Sequence, residues 1–359
     1  MSKLIGRICC LSVISLTLMS SAIGGAATMT HPRASDSQLP LVRAVWYVSD
    51  DASRYASQVV PDDLAYLKEK LCPSHSLIKT FVYQSGKDST DPQIDPQRTI
   101  SDDALRLLIS EIHQAGMGVV LLPVLLVNDG TWEGKITPSD IDAWFSHWQE
   151  IVVHYADLAQ QTGMEVLLIG SELVTVQSQS DHWLKLIEAV RQHYQGLLSY
   201  SANWWFDEAG YQSVFDMAQW DQLDYIGVTA YFELTDKADP SLAELEVAWS
   251  HDRHGRNVLD DLDKLSSQYG NKPIVFWEFG YQSKNGTNIE PWNYPKPGDP
   301  DPQEQADAFQ AYFNSFSPFP WWYGQGIFAE QVGLPIDPTG YDVLSKAAEP
   351  ILAQEACHP

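Results

Sequence analysis

The fold is decided by an apolar run that ends on a carboxylate, Val166-Leu167-Leu168-Ile169-Gly170-Ser171-Glu172, and by a second run of the same kind, Pro273-Ile274-Val275-Phe276-Trp277-Glu278. Short apolar runs of this type predict buried strands of a parallel sheet. An ionised carboxylate at the end of such a strand is unfavourable unless a site uses it. Catalytic groups collect at the C-terminal ends of parallel strands, so Glu172 and Glu278 are candidate catalytic residues.

Outward from these two runs, apolar strand-like segments alternate with helical patterns. The predicted strands are 42–48, 77–83, 118–127, 166–172, 197–203, 225–231, 273–278 and 325–330. The predicted helices are 61–71, 101–115, 138–161, 181–194, 208–218, 256–269, 303–316 and 341–353. This alternation predicts an α/β protein, a single (β/α)8 TIM barrel, for which 359 residues are sufficient. Glu172 and Glu278 then end strands four and seven.

Extra length follows the strands rather than the helices, in segments 84–100, 232–255 and 282–302. Loops that follow strands line the catalytic face of a barrel, so these long βα loops should form the rim of a cleft. No low-complexity linker divides the chain, and we expect one catalytic barrel over residues 41–359.

The first 27 residues have the pattern of a secretory signal peptide. Lys3 and Arg7 supply positive charge, residues 8–23 are mostly apolar, and small residues follow at the cleavage site. Residues 28–40, with their prolines and serines, predict a flexible leader. We therefore expect a secreted or periplasmic protein that has no membrane association after signal cleavage.

Cleavage of the signal would leave two of the four cysteines, Cys72 and Cys357. An exported protein can form disulfides. In the predicted barrel Cys72 follows the first helix and Cys357 follows the last, and these helices are neighbours whose C-terminal ends share one face. We expect a bridge between the two cysteines that closes the barrel.

Composition and charge narrow the class of ligand. Apolar residues make up 44% of the chain, enough for a full core. The net charge of −25 argues against nucleic acid as a partner, because nucleic-acid binding needs a basic surface. The chain has 13 tryptophans, 16 tyrosines and 12 phenylalanines, which can stack on sugars or fill a core.

Two carboxylates on different strands suit the hydrolysis of a glycosidic bond. In a retaining enzyme one carboxylic acid protonates the leaving oxygen, and a carboxylate about 5–5.5 Å away attacks the anomeric carbon. The ends of strands four and seven face each other across the barrel mouth. The alternative is a buried salt bridge or a pair of surface carboxylates. No cation stands next to Glu172 or Glu278 in the sequence, which favours catalysis.

The residues around these glutamates extend the pattern over most of residues 42–350. The segments concerned are Ile169-Gly170-Ser171-Glu172-Leu173, Ala202-Asn203-Trp204, Asp224-Tyr225-Ile226-Gly227-Val228-Thr229-Ala230-Tyr231, Phe276-Trp277-Glu278-Phe279-Gly280-Tyr281 and Gln305-Ala306-Asp307-Ala308-Phe309-Gln310-Ala311-Tyr312. In their order and placement they resemble clan A of the glycoside hydrolases, and within it family 113, best known for β-mannanases.

The resemblance implies a retaining (β/α)8 hydrolase with the acid/base after strand four and the nucleophile after strand seven. Position by position, Glu172 becomes the acid/base and Glu278 the nucleophile. The implied substrate is β-1,4-mannan or manno-oligosaccharides. The open alternatives are another clan A specificity, such as a β-glucanase or an exo-acting β-glycosidase, and a non-catalytic carbohydrate-binding barrel.

Two positions depart from the clan pattern. Ser171 stands where an asparagine usually binds the 2-hydroxyl of the sugar, and a serine hydroxyl reaches less far. Strand eight ends in Phe328-Ala329-Glu330, without the tryptophan that similar enzymes place beneath the cleaved sugar. Glu330 would be a third carboxylate at the mouth, where it could bind hydroxyls or change the pKa values of the pair.

Further residues are candidates for substrate binding. Tyr231, at the end of strand six, could donate its hydroxyl to Glu278, or it could simply plug the top of the barrel. Asn203 and Trp204 end strand five and offer a hydroxyl donor beside a stacking ring. Trp292, in the loop after strand seven, could stack on a sugar or pack its own loop.

Metal and cofactor motifs are missing from the sequence. The pair His251 and His254 lacks a third ligand at a typical spacing, and no glycine-rich phosphate loop, CxxC pair or Gly-x-Ser-x-Gly elbow occurs. We therefore expect no metal and no cofactor. The expected partner is a polysaccharide or oligosaccharide substrate, and we expect a monomer.

Overall fold

A computed structural model describes residues 39–47, 57, 59–294, 298–329 and 337–357. Eight parallel strands form a closed barrel in which each strand pairs with the next along the chain and the last pairs with the first. The strands are β1 Val42–Trp46, β2 His75–Gln84, β3 Gly118–Val127, β4 Val166–Ser171, β5 Leu197–Asn203, β6 Ile226–Thr229, β7 Ile274–Glu278 and β8 Trp322–Phe328. The predicted (β/α)8 barrel is confirmed.

Helices connect the strands on the outside of the barrel. In chain order they are α1 Val60–Leu71, α2 Asp102–Gln114, α3 Ile141–Thr162, α4 Ser180–His193, α5 Glu208–Phe215, α6 Leu242–Ala248, α7 Val258–Gln268, α8 Pro302–Phe316 and α9 Glu349–Cys357. Short 3-10 helices occupy Glu133–Lys135 and Ala218–Gln222. No helix among these is long and apolar enough to cross a membrane, within the part of the chain that the structure describes.

The helix starts follow from local capping. Ser101 accepts a hydrogen bond from the N–H of Ala104 and begins α2, as the Ser-Asp-Asp sequence predicts. Ser241 and Glu244 form a capping box that begins α6, a helix inside the segment 232–255 that hydrophobic periodicity alone did not predict. The order of elements is therefore the predicted one, with α6 added.

The last helix differs from its prediction. The predicted helix began at residue 341, whereas α9 begins at Glu349. Turns occupy the preceding segment, and Ser345 has a φ of 59°, which is incompatible with a continuous right-handed helix. The apolar residues Val343, Leu344 and Ala348 are buried in this segment without being helical.

Packing against α3 and α4 fixes the strand that precedes Glu172. The buried Trp148 of α3 donates its indole N–H to the carbonyl of Ile169 at 3.0 Å. Trp144 stacks on Trp148 with ring centroids 5.5 Å apart. Trp183 of α4 packs edge-on against Tyr200 of β5, with centroids 5.2 Å apart. Large buried rings thus hold β4 and β5 in place from outside the barrel.

The N-terminal end of the barrel carries a covalent link. Cys72, which follows α1, forms a disulfide with Cys357, the last residue of α9, and their Cα atoms are 5.2 Å apart. The bridge expected from barrel geometry is present. The predicted signal peptide, 1–27, and the leader up to residue 38 lie outside the described residues, so that both stay predictions.

Candidate active site

Glu172 directly follows β4 and takes a left-handed backbone conformation, with a φ of 51°. Residues other than glycine seldom adopt this region, because the Cβ atom crowds the backbone there. The Glu172 N–H donates to the carbonyl of Ser201 at 2.8 Å, and the Leu173 N–H donates to the Tyr200 hydroxyl at 2.9 Å. These two bonds hold the turn, which gives the side chain of Glu172 a fixed direction; such backbone geometry is typical of functional sites.

The sheet is irregular near both glutamates. The register between β4 and β5 shifts between Leu168 and Ser171, and the register between β6 and β7 shifts between Val228 and Thr229. Bulges of this kind re-aim side chains at barrel rims. The irregularities place Glu172 and Glu278 on the same face, at the C-terminal ends of the strands.

The carboxyl group of Glu172 is held in its protonated form near neutral pH. Desolvation is the main cause, and the charges of Glu278 and Glu133 add to it, raising the pKa of Glu172 to about 8. The indole N–H of Trp132 donates to Oε2 of Glu172, but the distance of 3.4 Å makes this a weak bond. Glu172 is therefore equipped to donate a proton at neutral pH.

Glu278, the last residue of β7, has an opposite environment. The Tyr231 hydroxyl donates to Oε1 of Glu278 at 2.9 Å, the contact expected from the sequence. The ammonium group of Lys79 lies 3.1 Å from Oε2. Both partners favour a charged carboxylate, since one supplies a hydrogen bond and the other a positive charge.

Lys79 is a site residue that the sequence reasoning missed. It lies on β2, only 16% of its side chain is exposed, and its ammonium group sits 4.1 Å from the centre of the Trp46 ring. The absence of a cation next to the glutamates in the sequence was therefore a misleading criterion. The available signal was a lysine inside the apolar strand-like run 77–83, where a buried cation needs a partner.

Glu133 is the second residue that was missed. It lies in the loop after β3, in the short 3-10 helix Glu133–Lys135. Desolvation and, secondarily, the charge of Glu278 raise the pKa of Glu133 to about 7. Its neighbour Trp132 lies over Gly134, where an added Cβ would collide with the indole ring. The segment 132–134 thus brings a third carboxylate and an indole N–H to the two glutamates.

The other predicted residues lie at the same end of the barrel. Ser171 ends β4 and is only 8% exposed. Asn203 ends β5 opposite Thr229, and Trp204 beyond it is partly buried against the core. Tyr231 is 7% exposed, and desolvation together with the charge of Glu278 raises its pKa well above the ordinary value. It therefore stays a proton donor at all ordinary pH values.

The end of β8 contains aromatic rings in place of the missing tryptophan. Phe328 stacks on Trp46 with ring centroids 6.0 Å apart, and Tyr341 lies 5.1 Å from Phe328. Ala329 is fully buried. Glu330 lies outside the described residues, so that its predicted role stays a prediction.

Trp292 lies on the loop after β7 and is 47% exposed. Its indole N–H donates to Oε1 of Glu233 at 2.8 Å, and His254 contacts the other oxygen of Glu233 at the same distance. Trp292 therefore does not fill the interior of its own loop. His254, one of the two histidines considered for a metal, is thus bound to Glu233.

No group of three or more histidine, cysteine, aspartate or glutamate side chains is arranged for a metal ion within the described residues. Of the carboxyl groups at the barrel mouth, Glu172 is bound by an indole, and Glu278 by a tyrosine hydroxyl and a lysine. The site thus combines a carboxyl group that burial holds neutral, Glu172, with a carboxyl group that contacts a tyrosine hydroxyl and a lysine, Glu278.

Solved structures with the same fold include several glycoside hydrolases. A GH113 β-1,4-mannanase has a TM-score of 0.76 and 23% identity, covering 89% of this chain and 100% of its own. The GH113 β-mannanase from Alicyclobacillus acidocaldarius, solved in complex with ManMIm, has a TM-score of 0.76 and 22% identity, with 89% and 98% covered. A β-D-glucuronidase from Dictyoglomus thermophilum has a TM-score of 0.57 and 14% identity, with 89% and 51% covered.

At these identities the structural likeness shows the fold alone. No curated protein sequence matches the chain. The sequence profile of Glycoside Hydrolase Family 113, however, matches residues 45–333, which include both glutamates and nearly the whole barrel. The chain therefore belongs to glycoside hydrolase family 113 and is a glycoside hydrolase.

Proposed function

We propose that this hydrolase cleaves β-1,4-linked mannan or manno-oligosaccharides with retention at the anomeric carbon, using Glu172 as acid/base and Glu278 as nucleophile. The observation that carries the proposal is the difference between the two carboxyl groups. Desolvation and two like charges hold Glu172 protonated, with a pKa of about 8, whereas Tyr231 and Lys79 stabilise charge on Glu278. A retaining mechanism needs this division of roles.

In the first step a carboxylate oxygen of Glu278 attacks the anomeric carbon, and the bond from that carbon to the leaving oxygen breaks. The leaving oxygen takes the proton of Glu172. In the second step water attacks the anomeric carbon, Glu172 accepts a proton from it, and the bond to Glu278 breaks. Lys79 and Tyr231 stabilise Glu278 while it is a free carboxylate, before attack and after release.

Several residues at the barrel mouth are proposed to bind the sugar. Asn203 and Ser171 offer polar side chains at the ends of β5 and β4, and Trp204 offers a ring next to Asn203. Tyr231, whose hydroxyl binds Glu278, would lie beside the reacting sugar. The names of two structurally similar proteins, both β-mannanases of family 113, support mannan as the substrate.

The stereochemistry of the first product tests this mechanism. Purified protein is incubated with manno-, gluco- and xylo-hexaose, and proton NMR follows the anomer that appears first. We expect the β-anomer from mannohexaose. An initial α-anomer would show inversion and contradict Glu278 as nucleophile, and faster cleavage of glucohexaose or xylohexaose would contradict the substrate.

The variant Glu172→Gln separates the acid role from sugar binding. On mannohexaose kcat/KM should fall by about 10²–10⁴-fold, because the leaving sugar needs a proton. On an aryl mannoside with a highly acidic phenol the loss should be far smaller, since that leaving group departs unprotonated. Equal losses on both substrates would contradict proton donation by Glu172. Glu165→Gln, at the other end of β4, is the matched control.

We also propose that the protein is exported. The charged and apolar pattern of residues 1–27 supports this, as does the Cys72–Cys357 disulfide, because disulfides persist in oxidising compartments.

A further inference from the structure

Among the described residues, the exposed large aromatic side chains on loops of the catalytic face include Phe206 and Trp292, besides Trp132 and Tyr294. Phe206, in the loop after β5, is 52% exposed, and Trp292, in the loop after β7, is 47% exposed. Isolated exposed aromatics are ordinary on protein surfaces. These two differ because they contact the two members of one hydrogen-bonded pair: Phe206 packs against His254, and Trp292 donates to Glu233.

The position of Trp292 is fixed by a mostly buried carboxylate. The side chain of Glu233 is only 10% exposed, and it accepts the indole N–H of Trp292 at 2.8 Å. Its second oxygen contacts His254 at 2.8 Å and the guanidinium of Arg253 at 3.4 Å. Burial of a carboxylate is unfavourable unless it is paired in this way. The network therefore orients a ring whose outer part remains open to water.

The loop that carries Trp292 is also tied to its neighbours. Arg253 donates to the carbonyl of Ile289 at 2.9 Å. The buried Asn288 donates its side-chain amide to Glu304 at 2.9 Å and accepts the hydroxyl of Thr235 at 2.7 Å. A pre-ordered ring loses less conformational entropy when a ligand binds.

The aromatic surface is continuous with the catalytic cleft. Trp204, next to Asn203 at the end of β5, lies 5.8 Å from Phe206, and the Phe206 ring lies 5.6 Å from that of His254. Glu233 follows Tyr231 by two residues, so their Cα atoms are at most about 7 Å apart. Tyr231 binds Glu278. The same short segment thus connects the reacting carboxylate with Trp292.

We propose that Trp292 and Phe206 form a distal subsite that stacks on a pyranose ring of the substrate chain, one or more units away from the cleaved bond. The inference rests on the proposed function and deepens it, because it makes the enzyme selective for chains long enough to reach Trp292. Glu233 is a positioning residue for this subsite, and it acts through the indole of Trp292. Flat aromatic rings are suited to the apolar faces of pyranoses.

Chain-length dependence of the kinetics tests the subsite. Rates are measured on mannobiose through mannohexaose and on an aryl β-mannoside that carries one sugar. For Trp292→Ala we expect kcat/KM on mannohexaose to fall about tenfold, mainly through KM, with little change on the aryl mannoside. Phe206→Ala should show the same pattern with a smaller loss. Leu107→Ala, at a residue of α2 that is 46% exposed, should change nothing.

A second pair of variants separates positioning from contact. Trp292→Phe keeps a ring but removes the N–H that Glu233 accepts, and Glu233→Ala leaves the indole without its acceptor. Both should raise KM for mannohexaose by less than Trp292→Ala does, and both should leave the aryl mannoside rate unchanged. A loss by Trp292→Ala that is equal on long and short substrates, or absent on both, would overturn the subsite.

Binding measurements test the subsite independently of the proposed substrate. Calorimetric titration of the Glu278→Gln variant with manno-, gluco- and xylo-hexaose is repeated with Trp292→Ala added. Weaker binding of glucohexaose or xylohexaose on loss of Trp292, together with no turnover of mannohexaose, would support the subsite and contradict mannan. Hexasaccharide binding that does not depend on Trp292 would contradict the subsite while leaving the proposed hydrolysis intact.

Discussion

The two ends of β4 carry a glutamate each, and the two are treated in opposite ways. Glu165, just before the strand, accepts the backbone N–H of Val119 at 2.6 Å and contacts His113 at 3.2 Å. Glu172, just after the strand, receives one weak bond from Trp132 and faces two further carboxyl groups. The strand therefore has a hydrogen-bonded carboxylate before it, at the bottom of the barrel, and a carboxyl group held neutral after it, at the top.

The ends of β6 repeat the contrast. Asp224, before the strand, binds Arg191 at 2.6 Å and the N–H of Leu198 at 2.7 Å. Tyr231, after the strand, donates its hydroxyl to Glu278, and burial excludes most water from this hydrogen bond. Charged groups at the bottom are paired within the scaffold, whereas at the top Glu172 is held neutral and Glu278 is bound by Lys79 and Tyr231. In both strands, the residues that stabilise the fold lie before the strand, and the residues of the candidate site lie after it.

The largest loss of activity is expected on substitution of Glu278, at the top of the barrel. Glu278→Ala removes the attacking oxygen and leaves Lys79 without its carboxylate, so kcat on mannohexaose should fall by at least about 10⁴-fold. The isosteric Glu278→Gln, which keeps an acceptor for Tyr231 and Lys79, should lose kcat with little change in the thermal unfolding temperature. Glu165→Ala should do the reverse, with kcat retained and the free energy of unfolding reduced by about 1–3 kcal/mol, because the N–H of Val119 loses its acceptor. Comparable kcat values for Glu278→Ala and Glu165→Ala would contradict the division between the ends.

Removal of the disulfide tests the contribution of the bottom of the barrel alone. Replacing Cys72 and Cys357 together by serine removes a constraint on the unfolded chain, and we expect the free energy of unfolding to fall by about 2–4 kcal/mol. Chemical denaturation measures this loss, and kcat measured well below the unfolding temperature should stay the same. A variant with normal stability but reduced kcat would mean that the link supports the site rather than the scaffold.

The smallest expected effect, a shift in the pH dependence of kcat/KM, is that of Glu133, which acts only on the carboxyl groups at the top of the barrel. With a pKa of about 7, Glu133 is charged at pH 8 and helps to keep the proton on Glu172. Glu133→Gln removes that charge and lowers the pKa of Glu172. The alkaline limb of kcat/KM should therefore move to lower pH by about 0.5–1 pH unit. An alkaline limb that stays in place or moves upward would show that Glu133 does not act through its charge.

The barrel and the positions of Glu172 and Glu278 at strand ends were predictable because each depends on a local pattern. An apolar run that ends on a carboxylate marks a strand end, and alternation of such runs with helical segments predicts the closed barrel. The start of α9 was not predictable in this way, because the buried apolar residues 343–348 pack without forming a helix. Tertiary packing overrides the periodic signal there.

The electrostatic environment of the site could not be predicted because it is assembled across the barrel. Lys79 comes from β2 and Glu133 from the loop after β3, and neither is near Glu278 in the sequence. Their distance in space follows from strand order and register, which a single sequence leaves open. The contact of Tyr231 with Glu278 was predicted, because Tyr231 follows the strand next to the one that carries Glu278.

The bond between Cys72 and Cys357 joins residues 285 positions apart and so turns most of the chain into a covalent ring. Strands β2 to β8 lie inside this ring, and β1 lies outside it, although it closes the barrel between β2 and β8. A protease that cuts any one rim loop within the ring would leave both pieces attached to each other. The loops that carry Trp132, Phe206 and Trp292 can therefore be long and open at the rim, since a single nick in one of them does not release a fragment.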